Sequence, residues 1–183
     1  MFITHGLSGS GKTTISSALL ENLGTLRIRS DLERKRMQNL AATAKTGSAI
    51  GAGLYTAVRS DQTYSRLQQL AALILEAGYS VIVDATFLQS SRRRDFRQLA
   101  ENCKVPFIIL DCQASNEILA DRIQKRRQSG TDASEADLKV LEHQLRTQQV
   151  LEKEEQQFCV TIATDKPLEI DGLLSAISSK IGH

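Results

Sequence analysis

The stretch Gly6-Leu7-Ser8-Gly9-Ser10-Gly11-Lys12-Thr13 matches the pattern GxxxxGK[ST] at every fixed position, and Thr14 follows it. Its setting matters as much as its letters. Upstream, Phe2 to His5 is a short β-rich run; downstream, Lys12 to Leu23 has the apolar spacing of an amphipathic helix. A glycine-rich turn between strand and helix aims successive backbone N–H groups at phosphate oxygens, and the helix N-terminus adds positive potential. Gly6, Leu7, Ser8, Gly9, Ser10 and Gly11 are therefore the expected phosphate cradle, Lys12 is expected to reach the β- and γ-phosphates, and Thr13 to ligate Mg²⁺. A bland Gly/Ser turn before a helix would require neither the lysine nor its position.

Outward from this turn, short β-rich runs alternate with longer helical stretches, as in a parallel sheet covered on both faces. The expected strands are Phe2 to His5, Thr25 to Ile28, Ser80 to Asp84, Val105 to Asp111 and Cys159 to Ala163. The expected helices are Lys12 to Leu23, Asp31 to Leu40, Ser60 to Ala77, Gln89 to Asn102, Asn116 to Gln128, Ser134 to Glu154 and Leu168 to Ile181. The predicted class is α/β: a three-layer α/β/α P-loop NTPase fold with a five-stranded parallel sheet. Residues 1–183 read as one domain, with a helical lid at approximately 116–135. The connection from Ala41 to Arg59 carries Gly47, Gly51 and Gly53, is longer than a minimal turn, and is a candidate substrate loop.

The composition is 41% hydrophobic and 24% charged with a net charge of +2, which favours a local anionic ligand over wholesale coating of nucleic acid. No apolar run approaches the ~20 residues that span a bilayer, and no signal-peptide pattern opens the chain. A cytoplasmic protein without membrane partners is expected. Cys103, Cys112 and Cys159 have no CxxC spacing and read as reduced packing residues; His5, His143 and His183 share no metal-ligand spacing.

A metal site in this setting needs a carboxylate besides Thr13. The apolar run Val81-Ile82-Val83 ends in Asp84, at the edge of the sheet where the cradle lies, so Asp84 is the metal candidate rather than an ordinary strand-end acid. On the acceptor side, Asp31 in Arg29-Ser30-Asp31-Leu32-Glu33-Arg34 can take the proton of an attacking hydroxyl, or it can cap the following helix. Arg34, three residues on, shares its helix face and suits a phosphate or an anionic acceptor. Arg122 and Arg126 are four residues apart and face one way, as lid cations would, with Arg127 beside them; a solvated basic helix end is the other reading. Thr164-Asp165-Lys166-Pro167 reads either as a loop near the nucleotide base or as a helix entry. Tyr55 and Tyr64 suit packing or an acceptor wall, and eight aromatics in all argue against extensive stacking on single strands.

The combination GLSGSGKTT, SDLER, VDATFLQSSRRRDF and DRIQKRRQSG resembles the zeta-toxin and polynucleotide-kinase-like branch of P-loop kinases, over most of the chain and in order. The resemblance implies that Asp31 is general base and Arg34 a phosphate-binding arginine. It also implies that Arg122 and Arg126 are the lid pair, that Asp84 and Thr86 end the metal-bearing strand, and that Arg93 is a further counterpart. RSDLERKR, GSAIGAGLY and VIVDATFL are similar to bacterial kinase domains joined to an N-terminal half that looks like an aminoglycoside phosphotransferase, which implies a fused partner domain but no substrate.

The expected function is transfer of the γ-phosphate of Mg-ATP to a hydroxyl. The resemblance makes a polynucleotide 5′-hydroxyl the most specific acceptor; a nucleoside, sugar or antibiotic hydroxyl stays open, as does a nucleotide-dependent regulatory module.

Overall fold

The computed structural model describes residues 1–41, 57–129 and 136–182. Five strands form one fully parallel sheet: β1 (Phe2–His5), β2 (Leu26–Arg29), β3 (Val81–Asp84), β4 (Ile108–Gln113) and β5 (Cys159–Ala163), in the order β2-β3-β1-β4-β5. The helices among the described residues are α1 (Lys12–Leu23), α2 (Ser30–Arg36), α3 (Ala57–Glu76), α4 (Ser90–Asn102), α5 (Asn116–Ser129), α6 (Leu138–Thr147) and α7 (Ile170–Ile181). The expected α/β class and five parallel strands are present.

β1 and β3 are buried along their whole length because helices cover both faces of the sheet, which is why they read as continuous apolar runs. Alternate residues go to opposite faces. Ile3, Val81, Val83 and Ile109 pack with Leu67 and Ala71 of α3 and Phe96 of α4. Phe2, Ile82, Ile108 and Leu110 pack with Ile15 and Leu19 of α1 and Leu173 and Ile177 of α7. Each such large side chain contributes about 1.5–3 kcal/mol by burial, and truncating Leu19 to alanine would cost about 2–5 kcal/mol. A third, smaller cluster joins Leu119 and Ile123 of α5 to Leu141 of α6, with Leu7 of the cradle and Leu145 packed against it.

Central β1 lies between β3 and β4, in the register Phe2↔Ile82 and Phe2↔Ile108. The sequence order therefore reverses on either side of β1, the place where open parallel sheets bind ligands beyond their carboxyl ends. His5, Arg29 and Asp84 end β1, β2 and β3 on that edge.

Several boundaries differ from expectation. The expected helix Ser134 to Glu154 is α6, which stops at Thr147, followed by an extended segment and a 3-10 helix over Lys153–Phe158. Tertiary bonds pull this segment out of the helix: Gln149 N–H donates to Leu88 O at 2.8 Å, and Gln149 Oε1 accepts from Ser90 N–H at 2.6 Å. α2 ends at Arg36 rather than Leu40, and β4 is displaced toward Gln113. Gly47, Gly51, Gly53 and Tyr55 of the candidate substrate loop, residues 130–135 of the expected lid, and His183 lie outside the described residues.

Candidate active site

The turn after β1 adopts the compact path its glycines permit. Gly9 and Gly11 have φ of +85° and +82°, where L side chains are strained. A Cβ on Gly9 would stand 2.8 Å from Leu119 O, so the loop packs backbone-to-backbone on α5. Gly6 N–H donates to Thr86 O at 3.1 Å and ties the loop to the end of β3. The Lys12 ammonium folds over the loop, donating to Leu7 O at 2.6 Å and Ser10 Oγ at 3.3 Å. Burial pushes its pKa below the ordinary lysine value, against the opposing pull of the Asp84 carboxylate.

Thr13 and Asp84 meet as expected: Thr13 Oγ1 donates to Asp84 Oδ2 at 3.0 Å, and Ser16 Oγ donates to the same oxygen at 3.1 Å. Sequence reasoning missed Ser16. Arg27 braces the turn of α1 beneath them, donating to Ser17 Oγ at 2.6 Å and Thr13 O at 3.2 Å. Hydroxyls and one carboxylate are hard oxygen donors suited to Mg²⁺, which is bound through one or two carboxylates plus substrate phosphates. Two hydroxyls and one carboxylate would leave most of an octahedral shell open, so the donor set fits a cation shared with a phosphate.

A cleft of about 590 Å³ opens above this edge, and Lys12, Thr13, Thr14, Asp31, Arg34, Asp84, Arg122 and Arg126 all line it. The N-cap position of α2 is Arg29, but Asp31 Oδ1 accepts from Leu32 N–H at 2.9 Å, so its carboxylate also serves a first-turn N–H of that helix. The other oxygen of Asp31 pairs with Arg29 at 2.7 Å. Arg122 is docked rather than loose, donating to Gly9 O at 3.2 Å and to Thr164 Oγ1 at 3.0 Å. Thr164 Oγ1 in turn donates to Ser10 O at 3.0 Å, so the loop after β5 abuts the cradle. Arg126 reaches Ala136 O at 3.3 Å.

Arg93 is a correction. Its side chain is fully buried, bidentate to Glu155 at 2.6 and 2.8 Å, and it donates to Phe87 O and to the Gln149 and Val150 carbonyls. It staples the loop after β3 to the segment after α6 and does not line the cleft. Its neighbour Arg92 does, paired with Asp61 and standing 5.2 Å above the Tyr64 ring. Tyr64, a candidate for packing or an acceptor wall, does both, and it forms a wall with Asp61 and Arg92 and with His143, Gln144 and Thr147 of α6, residues that sequence reasoning missed because three separate helices supply them. Tyr64 Oη accepts from Phe87 N–H at 3.1 Å, and its ring meets Phe87 and Phe96 edge to face. This contact holds Phe87 at φ +47°, a conformation bulky residues rarely adopt. The cysteines are free thiols, and burial pushes Cys112 up to about 12. No described helix is long and apolar enough to cross a membrane.

Comparison with known proteins matches this fold. An uncharacterized protein of Mycobacterium tuberculosis is 29% identical over 132 residues, 72% of this chain but 26% of its own length, so the chain spans about a quarter of that relative. An adenylyl-sulfate kinase of Myxococcus xanthus is 30% identical over 117 residues, covering 64% of this chain and 59% of the kinase. Among solved structures, a sugar kinase from Janibacter superposes with a TM-score of 0.70 at 23% identity, covering 100% of this chain and 98% of that one. A gluconokinase from Sinorhizobium meliloti gives 0.62 at 19% identity, covering 99% and 90%. The Mycobacterium tuberculosis APS kinase, in complex with AMPPNP and APS, gives 0.65 at 17% identity, covering 100% and 97%. The AAA domain family model matches residues 1–151, a span that runs from β1 through the cradle, both cleft walls and α6, and the chain belongs to that family.

Proposed function

We propose that this domain is an ATP-dependent kinase acting on the hydroxyl of a small molecule. The observation that carries the reading is the division of labour along one cleft. Thr13 and Asp84 meet at one point, while Asp31 stands on α2 across the Arg29 guanidinium from Asp84. A hydrolytic switch needs the first pair, whereas a kinase needs a carboxylate facing an acceptor as well.

In this reading the loop N–H groups and Lys12 hold the ATP phosphates; Thr13 and Asp84 would hold Mg²⁺, and bound there it would screen the phosphate charge. Asp31 takes the proton from the acceptor hydroxyl. The acceptor oxygen bonds to the γ-phosphorus, the bond from that phosphorus to the β–γ bridging oxygen breaks, and ADP leaves. Arg34 and Arg126 balance the charge spread over the equatorial oxygens, and Arg122 ties the loop after β5 to the cradle.

Two lines support a small acceptor over the polynucleotide 5′ end implied by the resemblance to the zeta-toxin and polynucleotide-kinase-like branch. The named kinases to which the chain is similar act, by their names, on sugars, gluconate and adenylyl sulfate. Tyr64 is the only Tyr or Phe among the described residues of the cleft, and its ring packs against Arg92, Phe87 and Phe96 rather than offering a platform for a base. The exposed Asp61 carboxylate and the Arg92 guanidinium instead offer acceptor and donor together, as polyol hydroxyls require.

The test is a transfer screen with labelled γ-phosphate over sugars, nucleosides, aminoglycosides and oligonucleotides. Label is expected on a small polyhydroxylated acceptor. Label on oligonucleotide 5′ ends alone would restore the polynucleotide reading, and label on nothing but water would favour a regulatory module.

A further inference from the structure

Gln144 on α6 is remote in sequence from the cradle, yet its Oε1 accepts a hydrogen bond from Ser8 N–H at 2.8 Å. A backbone N–H can only donate, so the amide must present its oxygen to the loop, and its Nε2 donor is left over. That donor has no protein hydrogen-bond partner among the described residues, and Gln144 lines the cleft with Lys12, Thr13 and Asp31.

The amide is not held there by one bond alone. Leu141, one turn earlier on α6, is buried with Leu119 and Ile123, and Leu7 and Leu145 pack on the same cluster. Leu7 and Ser8 thus each meet the α5–α6 unit, one through apolar packing and one through the amide. A donor fixed in this way needs little reorganisation when charge develops beside it, the condition under which a neutral side chain stabilises a transition state most effectively.

We propose that Gln144 is a catalytic residue that donates from Nε2 to an oxygen of the transferring phosphoryl group, with its Oε1 anchored on Ser8. The assignment rests on the phosphotransfer reading above and adds to it a donor from α6. Phosphoryl transfer spreads charge over three equatorial oxygens, and Gln144 serves one of them without the desolvation cost of a further cation.

The experiment uses the whole chain and needs no knowledge of the acceptor. Affinities for Mg-ADP and for Mg-ADP with aluminium fluoride, a mimic of the transferring group, are measured by calorimetry for wild type, Gln144→Met and Gln144→Glu. Glutamate keeps an acceptor for Ser8 N–H but has no amide donor; methionine has neither and adds no charge. Circular dichroism confirms that each variant is folded. In both variants Mg-ADP affinity is expected to stay within several-fold of wild type, while the tightening brought by fluoride falls by about 10²- to 10³-fold, the loss typical of one such donor.

Three results would overturn the proposal: fluoride-dependent tightening retained in Gln144→Met, tighter Mg-ADP binding in that variant, which would make the amide a plug displaced by phosphate, or no tightening in wild type. A wild type that binds the fluoride complex tightly but labels no acceptor would defeat the kinase reading and leave the Gln144 assignment standing.

Discussion

Arg29 donates to Asp31 Oδ2 at 2.7 Å while its Nε stands 3.9 Å from Asp84 Oδ2, so one guanidinium spans the base candidate and the candidate metal carboxylate. The ion pair and a bond from Leu32 N–H at 2.9 Å together place Asp31; asparagine keeps an acceptor for that N–H but loses the charge that holds Arg29, so nucleotide affinity must be measured beside transfer. Asp31→Asn should lower transfer to the best acceptor by about 10²- to 10⁴-fold, the usual worth of general-base assistance. Affinity for an ATP analogue should barely change. Wild-type turnover in a variant that binds nucleotide normally would remove Asp31 from the mechanism.

Lys12→Ala should abolish transfer and leave the circular dichroism spectrum unchanged, because the ammonium bonds only to loop atoms, Leu7 O and Ser10 Oγ. A pH effect follows from the same group. Burial lowers its pKa below 10.5, and phosphate binding favours the charged form. Affinity for Mg-ATP should therefore decline with rising pH before an ordinary lysine would titrate. Calorimetry in buffers of different ionisation enthalpy should detect proton uptake on binding at alkaline pH, and none in the variant.

Arg93→Ala should cost about 3–5 kcal/mol in urea unfolding, since it strands Glu155 and three carbonyls on the inner side of the staple. A loss under about 1 kcal/mol would mean that the pair is no stronger than an exposed one. Burial pushes the Glu155 carboxyl up, but the bonds from Arg93 and Glu152 N–H outweigh it and leave the pKa below 4.5. A lowered carboxylate stabilises fully above its unfolded pKa and ceases to do so as pH falls through the folded value. The wild type should lose stability over that acid interval, and Arg93→Ala should show a flatter acid limb.

A lid over Arg122 to Arg127 would be loose until nucleotide arrives, but Leu119 and Ile123 are buried and Arg122 is docked on Gly9 and Thr164. Amide exchange across 119–123 should accordingly be slow with or without an ATP analogue and Mg²⁺. Rapid exchange there in the nucleotide-free protein would support closure of the whole helix instead.

The cradle, Asp84 and the parallel sheet were legible in the sequence because each is written in contiguous residues: a fixed motif, an apolar run with an acid at its end, alternation of strand and helix. The opposite wall of the cleft was not. Asp61, Arg92 and Gln144 sit on separate helices, and nothing local marks any of them. Arg93 and Arg92 are adjacent letters with opposite fates, one sealed against Glu155 and one in the cleft, because successive residues on α4 point about 100° apart. The end of α6 was misread for a related reason: periodicity carries on past Thr147, but Leu88, Ser90 and Arg93 take up the backbone and side-chain groups that would have continued the helix.

The strand order has a consequence for the order in which the chain is made. β1 emerges from the ribosome first, yet its partners Ile82 and Ile108 come far later, and its sequence neighbour β2 pairs with β3 instead. The phosphate cradle, hung between β1 and α1, cannot acquire its anchor at Thr86 or its packing on Leu119 until those residues have been translated. At typical synthesis rates that interval is on the order of ten seconds, during which an apolar strand waits unpaired. A nascent chain stalled before β4 would expose Phe2 and Ile3 to chaperones, and its nucleotide loop would exist only as sequence.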